Sequence, residues 1–266
     1  TMNRIGWGHS SGELWGVAFH PVRERFATVG DDRTLRIWSV RNHEQTNLRI
    51  LPCASRAVTY NIAGDVLCVG MEDGSVAMLE ADSSSLRVFV TWNHCAAPVS
   101  TLCYSGDGKI LAVGCADANL YLYRRVDERN YVRQAVCQGH AGVVEHIDFS
   151  ANSQFISSSC RSGTLLFWDV RGNSCKDASA FRDESWVTQG VRANPYGWAT
   201  QGLSIASSSK PGFPDKINSL CAMPDVGDIV AGDVSGRVKL YKYPCVQPGA
   251  LCQTYCGHAG EVAAVR

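Results

Sequence analysis

No net charge falls on this 266-residue chain: lysines plus arginines number 25, and so do aspartates plus glutamates. A balanced surface sets up no long-range field toward a phosphate backbone or an anionic lipid face. Neither nucleic acid nor membrane is therefore expected as a partner. Long apolar runs are missing too, and none approaches the ~20 residues that a membrane-crossing helix needs. The N-terminal stretch TMNRIGWGHS lacks the basic-then-apolar layout of a signal peptide. An apolar i, i+3, i+4 pattern sustained over a helix-length window is also absent, so helices should be few.

Close cysteine pairs are lacking as well, although the chain has 12 cysteines. Structural zinc usually needs paired spacings such as C-x-x-C. The nearest approach is Cys252 and Cys256, with no second pair to complete a tetrahedron. Cys68, Cys103, Cys115 and Cys160 sit inside apolar runs, where a free thiol behaves as a small hydrophobe. Structural cysteines, no metal and a reducing intracellular setting are the expectation. No nucleophile–base pair, phosphate loop or metal cluster stands outside the repeated residues described next. The sequence therefore predicts no catalytic centre and no cofactor.

What is present is a repeat. GELWGVAFHPVRERFATVGDDRTLRIWSV contains three short β-branched and aromatic runs separated by Pro, Gly and Asp turns. Related stretches begin at Ala57, Val99, Val144 and Ile217. Their third runs end at Trp38, Leu79, Tyr123, Trp168 and Tyr241, which by subtraction gives gaps of 41, 44, 45 and 73 residues. The first three match the ~40–45 residue period of four-stranded propeller blades. The last is one period plus an insertion. Gly8-His9, Gly139-His140 and Gly257-His258 mark the phase, with Asn93-His94 in the equivalent slot before the third copy. The reading is an all-β propeller of WD repeats, with about six to seven blades and an incomplete last one. Copies are expected at 8–52, 53–92, 93–138, 139–181 and 216–256, a partial one at 257–266, and an insertion at 182–215. Residues 1–266 would form one propeller.

Within the first copy, His9, Thr28, Asp32 and Trp38 match the buried polar tetrad of that repeat. A histidine held between an aspartate and a hydroxyl, with an indole N–H also satisfied, fastens the loop leading into a blade to its inner strands. The other copies lose members. The second keeps Asp73 but has Leu79 for Trp, the third keeps His94 and Asp117, and the fourth keeps His140 and Trp168 but has Ser162 for Asp. Such decay fits parts repeated for shape better than a catalytic triad. The loops between second and third strands share one rim with the loops leading into the blades, where propellers commonly bind partners. Asp31, Arg56, Glu72, Arg161, Lys216 and Asp233 are the candidate charged residues there. Trp186, Tyr196 and Trp198 in the insertion are aromatic candidates, either as an interface patch or as extra strands that fill out the ring.

MNRIGW could be the outer strand of a closing blade and EVAAVR its innermost strand, so a piece of a longer polypeptide is expected. The stretches GHSSGELWGVAFHP, RDESW, DKINSLCAMP, GDVSGRVKLYKYPC and YCGHAGEVAAVR follow one another along nearly the whole chain. In that order they resemble the second, C-terminal propeller of the echinoderm microtubule-associated protein-like family. The resemblance implies a cytoplasmic, cytoskeletal role without catalysis, contact with tubulin or microtubules, and packing against a preceding propeller. It also implies that tight microtubule binding resides largely in a separate basic, coiled-coil region. A generic WD-repeat scaffold or adaptor, in signalling or ubiquitin-ligase complexes, is the competing reading.

Overall fold

A computed structural model describes residues 9, 11–93, 95–127, 129–162, 164–181, 184–187, 217–223, 226–233, 235–242, 251–260, 262 and 265. Five four-stranded antiparallel sheets run in chain order. The first is β1 (Leu14–Phe19), β2 (Arg25–Gly30), β3 (Thr34–Ser39) and β4 (Glu44–Ile50). The second is β5 (Ser55–Tyr60), β6 (Val66–Met71), β7 (Ser75–Glu80) and β8 (Val88–Asn93). The third is β9 (Val99–Tyr104), β10 (Ile110–Cys115), β11 (Asn119–Arg125) and β12 (Tyr131–Gln138). The fourth is β13 (Val144–Phe149), β14 (Phe155–Cys160), β15 (Leu165–Asp169) and the short β16 (Ser174–Cys175). The fifth is β17 (Ile217–Met223), β18 (Asp228–Asp233), β19 (Arg237–Lys242) and β20 (Cys252–Cys256). Among the described residues the one helical element is a single turn at Ala178–Phe181.

The hydrophobic pattern explains this layout. Every residue of β6 and of β10 is buried, so these strands are covered on both faces and read as continuous apolar runs. β4 alternates exposed and half-buried positions, as an outermost strand with one wet face should. First strands pack on one another in succession, β1 on β5, β5 on β9 and β9 on β13. One apolar layer fills each gap: Val29 and Ile37 against Val58 and Leu79, Cys68 and Val76 against Val99 and Val113, and Leu120 and Leu122 against Phe149 and Trp168. The described cysteines are all free.

The described residues form five blades rather than the six to seven expected. Of the insertion that was to decide the count, only residues 184–187 are described, and they add a single bridge, Ser150 to Trp186, to the fourth sheet. At the other end, Val262 N–H donates to the Asp233 carbonyl at 3.0 Å and Val265 N–H to Ser219 Oγ at 2.9 Å. These two valines thus lie against β18 and β17.

Blade-to-blade spacing is set by a repeated glycine. A Cβ placed on Gly70 would lie 2.4 Å from Val99 Cγ1, one on Gly114 2.9 Å from Val144 Cγ1, and one on Gly232 2.5 Å from Val262 Cγ1. Val99 and Val144 open the next first strands and Val262 follows β20, so the absent side chain is what lets these segments close on the preceding sheet. Gly70→Ala should therefore wedge the second and third blades apart and cost about 1–3 kcal/mol. The expected readout is a lower urea midpoint with the strand signature retained. Gly142→Ala, whose Cβ would meet nothing nearer than 3.7 Å, should cost far less.

Candidate functional site

The turn between second and third strands is built before any tetrad forms. Its third residue adopts a left-handed backbone, at Arg33 (φ 58°), Gly74 (φ 84°), Ala118 (φ 66°) and Gly236 (φ 76°). An aspartate just ahead closes the turn on itself. Asp32, Asp73 and Asp117 each accept the backbone N–H two residues on through Oδ1, at 3.1, 2.9 and 3.0 Å. The fifth blade does the same two positions earlier, where Asp233 accepts from Ser235 and Arg237 N–H at 2.9 and 3.0 Å.

On that base the first blade assembles a closed chain. The Trp38 indole N–H donates to Thr28 Oγ1 at 2.7 Å, and Thr28 Oγ1 lies 2.8 Å from His9 Nε2. His9 Nδ1 lies 2.8 Å from Asp32 Oδ1. With Nδ1 as the donor, the threonine hydroxyl gives its proton to Nε2 and accepts the indole, so every member is satisfied. Burial opposes ionisation of Asp32, but the bonds from His9 and Thr34 outweigh it and hold its carboxyl below the ordinary range. Thr28 is buried, with its hydroxyl engaged by both neighbours. His94, Tyr196, Trp198 and Lys216 lie outside the described residues. Asp117 instead accepts the Tyr121 hydroxyl at 2.6 Å.

The rim forms by a second device. Every first strand carries a β-bulge at its start, between Leu14 and Gly16, Ser55 and Ala57, Val99 and Thr101, Val144 and His146, and Ile217 and Ser219. A bulge re-aims the extra residue out of the ladder, here Trp15, Arg56, Ser100 and Glu145. In the first, second and fourth blades a charged loop residue sixteen positions on meets it. The Trp15 indole N–H donates to Asp31 Oδ1 at 2.7 Å, Arg56 donates to Glu72 at 3.1 Å, and Arg161 to Glu145 at 3.0 Å. The Arg56 guanidinium also lies over the Trp15 ring, 4.8 Å from its centroid. Asp31, Trp15, Arg56 and Glu72 thus form one continuous strip across the first two blades. Trp15 is 44% exposed. The reading from sequence found the three charged members and missed Trp15, whose signal was its fixed sixteen-residue offset from Asp31.

Two candidates do not belong to this rim. Asp233 is 1% exposed and ion-paired to Arg237 Nε at 3.0 Å and Lys239 Nζ at 3.5 Å. It closes β18, a ladder position that faces inward, so its carboxylate serves the blade and not the surface. Trp186 lies beside Phe149, at the end of β13 remote from Arg161, with its ring 5.8 Å from Phe167 and 6.2 Å from Phe181. It completes an aromatic cluster under the fourth blade. Among the described residues no three His, Cys, Asp or Glu side chains gather as metal ligands would.

Residues 14–266 match the family described as Echinoderm microtubule-associated protein second beta-propeller. The chain belongs to that family. It is 32% identical over 258 residues to human echinoderm microtubule-associated protein-like 2, covering 95% of this chain and 38% of that protein. To the 77 kDa echinoderm microtubule-associated protein of Strongylocentrotus purpuratus it is 30% identical over 269 residues, 99% of this chain and 37% of the relative. Mouse echinoderm microtubule-associated protein-like 1 shares 29% over 266 residues, 98% of this chain and 31% of its own. The chain thus spans less than two fifths of the relatives' length.

In this member of the echinoderm microtubule-associated protein family the fourth blade is unevenly fastened. The Trp168 indole donates to Ser158 Oγ at 2.8 Å, and that hydroxyl lies 2.7 Å from His140 Nε2. Ser162 stands where Asp32 stands in the first blade, and His140 Nδ1 is buried without a partner. His140 is 8% exposed, and burial lowers its pKa below the ordinary 6.5. A base whose folded pKa is lowered contributes its stability above the unfolded pKa and loses it as pH falls below ~6.5. Ser162→Asp should give Nδ1–H an acceptor and stabilise the protein by about 1–2 kcal/mol near neutral pH. It should also flatten the loss of thermal midpoint between pH 7 and 5, both read by melts across that range.

Proposed function

We propose that this chain is a non-catalytic protein-interaction module of the cytoplasmic cytoskeleton, contacting tubulin or microtubules through the Trp15–Arg56 strip. Membership of a family whose named members are microtubule-associated carries the reading. The strip supplies the chemistry: an exposed tryptophan and an arginine, held rigid by Asp31 and Glu72, are the side chains that most often anchor interfaces. Zero net charge argues for weak docking on an acidic polymer surface, with other parts of the full-length protein providing most of the affinity. We further propose that residues 1–266 are one WD-type propeller in which Val262 and Val265 begin a further blade, and that this propeller packs against a preceding one.

Co-sedimentation of the purified chain with microtubules tests the proposal. Binding should be weak, about micromolar or weaker, and indifferent to added nucleotide. Trp15→Ala and Arg56→Ala should each reduce it by about fivefold while the strand signature and cooperative melt persist. A nanomolar affinity for this chain alone, or full binding by both variants, would overturn the reading.

A further inference from the structure

Ladder pairing makes Arg36, Ala77, Tyr121, Leu166 and Lys239 equivalent. Each faces the second-strand residue Thr28, Val69, Val113, Ser158 or Ala231 in its own blade. In three blades this position sends a donor to the turn aspartate. Arg36 reaches Asp32 Oδ2 at 3.5 Å, with Thr34 Oγ1 at 3.0 Å and Gln45 Oε1 at 2.8 Å completing its cradle. The Tyr121 hydroxyl reaches Asp117 Oδ2 at 2.6 Å, and Lys239 Nζ lies 3.5 Å from Asp233 Oδ2. In the fourth blade acid and donor are lost together, leaving Ser162 and Leu166.

The second blade breaks the rule. Asp73 is retained, yet the donor position is Ala77. Asp73 accepts Ser75 N–H and the Ser75 hydroxyl through Oδ1, with the Cys53 thiol beside it, but receives no cation and no phenol from the described residues. Where the side chain of Arg36 lies in the first blade, a cleft of about 420 Å³ opens here between the first two blades. Asp73, Ser75, Ala77, Val88, Thr91 and Asn93 border it, with Met71 supplying an apolar wall. The positions match the first-blade cradle: Asp73 for Asp32, Ser75 for Thr34, and Val88 for Gln45. Arg49 also borders the cleft, with its guanidinium turned to the Ser85 and Leu86 carbonyls at 3.1 Å.

We propose that this cleft is a receptor for an arginine side chain of a protein partner. The incoming guanidinium pairs with Asp73 and Ser75, its methylene stem lies along Val88, and Thr91 and Asn93 take the remaining N–H groups. The charge is complementary, since Asp73 is the cleft's one carboxylate and its own blade leaves it uncompensated. The volume falls in the ~300–1,000 Å³ range of small-ligand sites. The inference does not rest on the tubulin reading, because the cleft is defined by the missing donor alone.

Titration of the isotope-labelled chain with N-acetyl-arginine methylamide, followed by backbone amide resonances, tests it. Saturable shifts centred on Ser75, Ala77, Thr91 and Asn93 are expected. The uncharged isostere N-acetyl-citrulline methylamide should produce none. Asp73→Asn should weaken binding by about tenfold or more, the worth of a charge-assisted bond. Ala77→Arg supplies the guanidinium from within and should abolish binding in a fully folded protein. Equal shifts with citrulline, binding undiminished in Ala77→Arg, or no saturable shift in the unmodified chain would each overturn the assignment.

Discussion

Where Gly70 meets Val99, two sheets approach so closely that one added methyl has no room, and the same meeting recurs at Gly114 with Val144 and Gly232 with Val262. A blade whose second strand is covered on both faces has no stable existence alone, because its apolar surface would face water on one side or the other. Stacking on neighbours resolves this, and the first strands fix how near the neighbours come. Their bulges, their loops and the side chains that crown them all inherit their positions from that contact. The architecture is thus a chain of nearest-neighbour interfaces.

Polar groups are a second layer on this apolar frame. The turn aspartates persist in copies where the histidine or tryptophan is gone, and their local work explains it. Asp73 and Asp117 close a tight turn through Oδ1 whether or not an imidazole stands behind them. The fifth blade keeps the device by moving the acid two residues earlier, to Asp233. The full tetrad is a refinement whose value depends on completeness. In the first blade every group is paired, whereas in the fourth the loss of one carboxylate strands a buried imidazole nitrogen.

Specific chemistry lies where copies differ. Identical blades would present a uniform ring, and only departures give it a direction. The pairing of bulge and loop residue is a tryptophan with an acid in the first blade, a base with an acid in the second, and an acid with a base in the fourth. The stacking of Arg56 on Trp15 ties two of these into one strip. Likewise the cleft exists because one donor was lost while its carboxylate stayed. The fold and the proposed binding features therefore rest on different residues of the same repeat.

The chain's own order of residues determined the repeat, its phase, the strand triplets, whose third strands run one or two residues past Trp38, Leu79, Tyr123, Trp168 and Tyr241, and the four members of the first tetrad. These follow from local rules: alternation, turn chemistry and spacing act over a few residues and can be read along a line. The absence of an acid at Ser162 was legible in the same way. Tertiary structure alone decided that Asp233 turns inward, because a shift of one position along a strand sends a side chain to the opposite face. It alone placed Trp186 under the fourth blade, laid Arg56 over Trp15, left His140 Nδ1 without a partner and opened the space beside Asp73. Each of these depends on which blade lies next to which and how closely, a distance between segments some forty residues apart that no local pattern encodes.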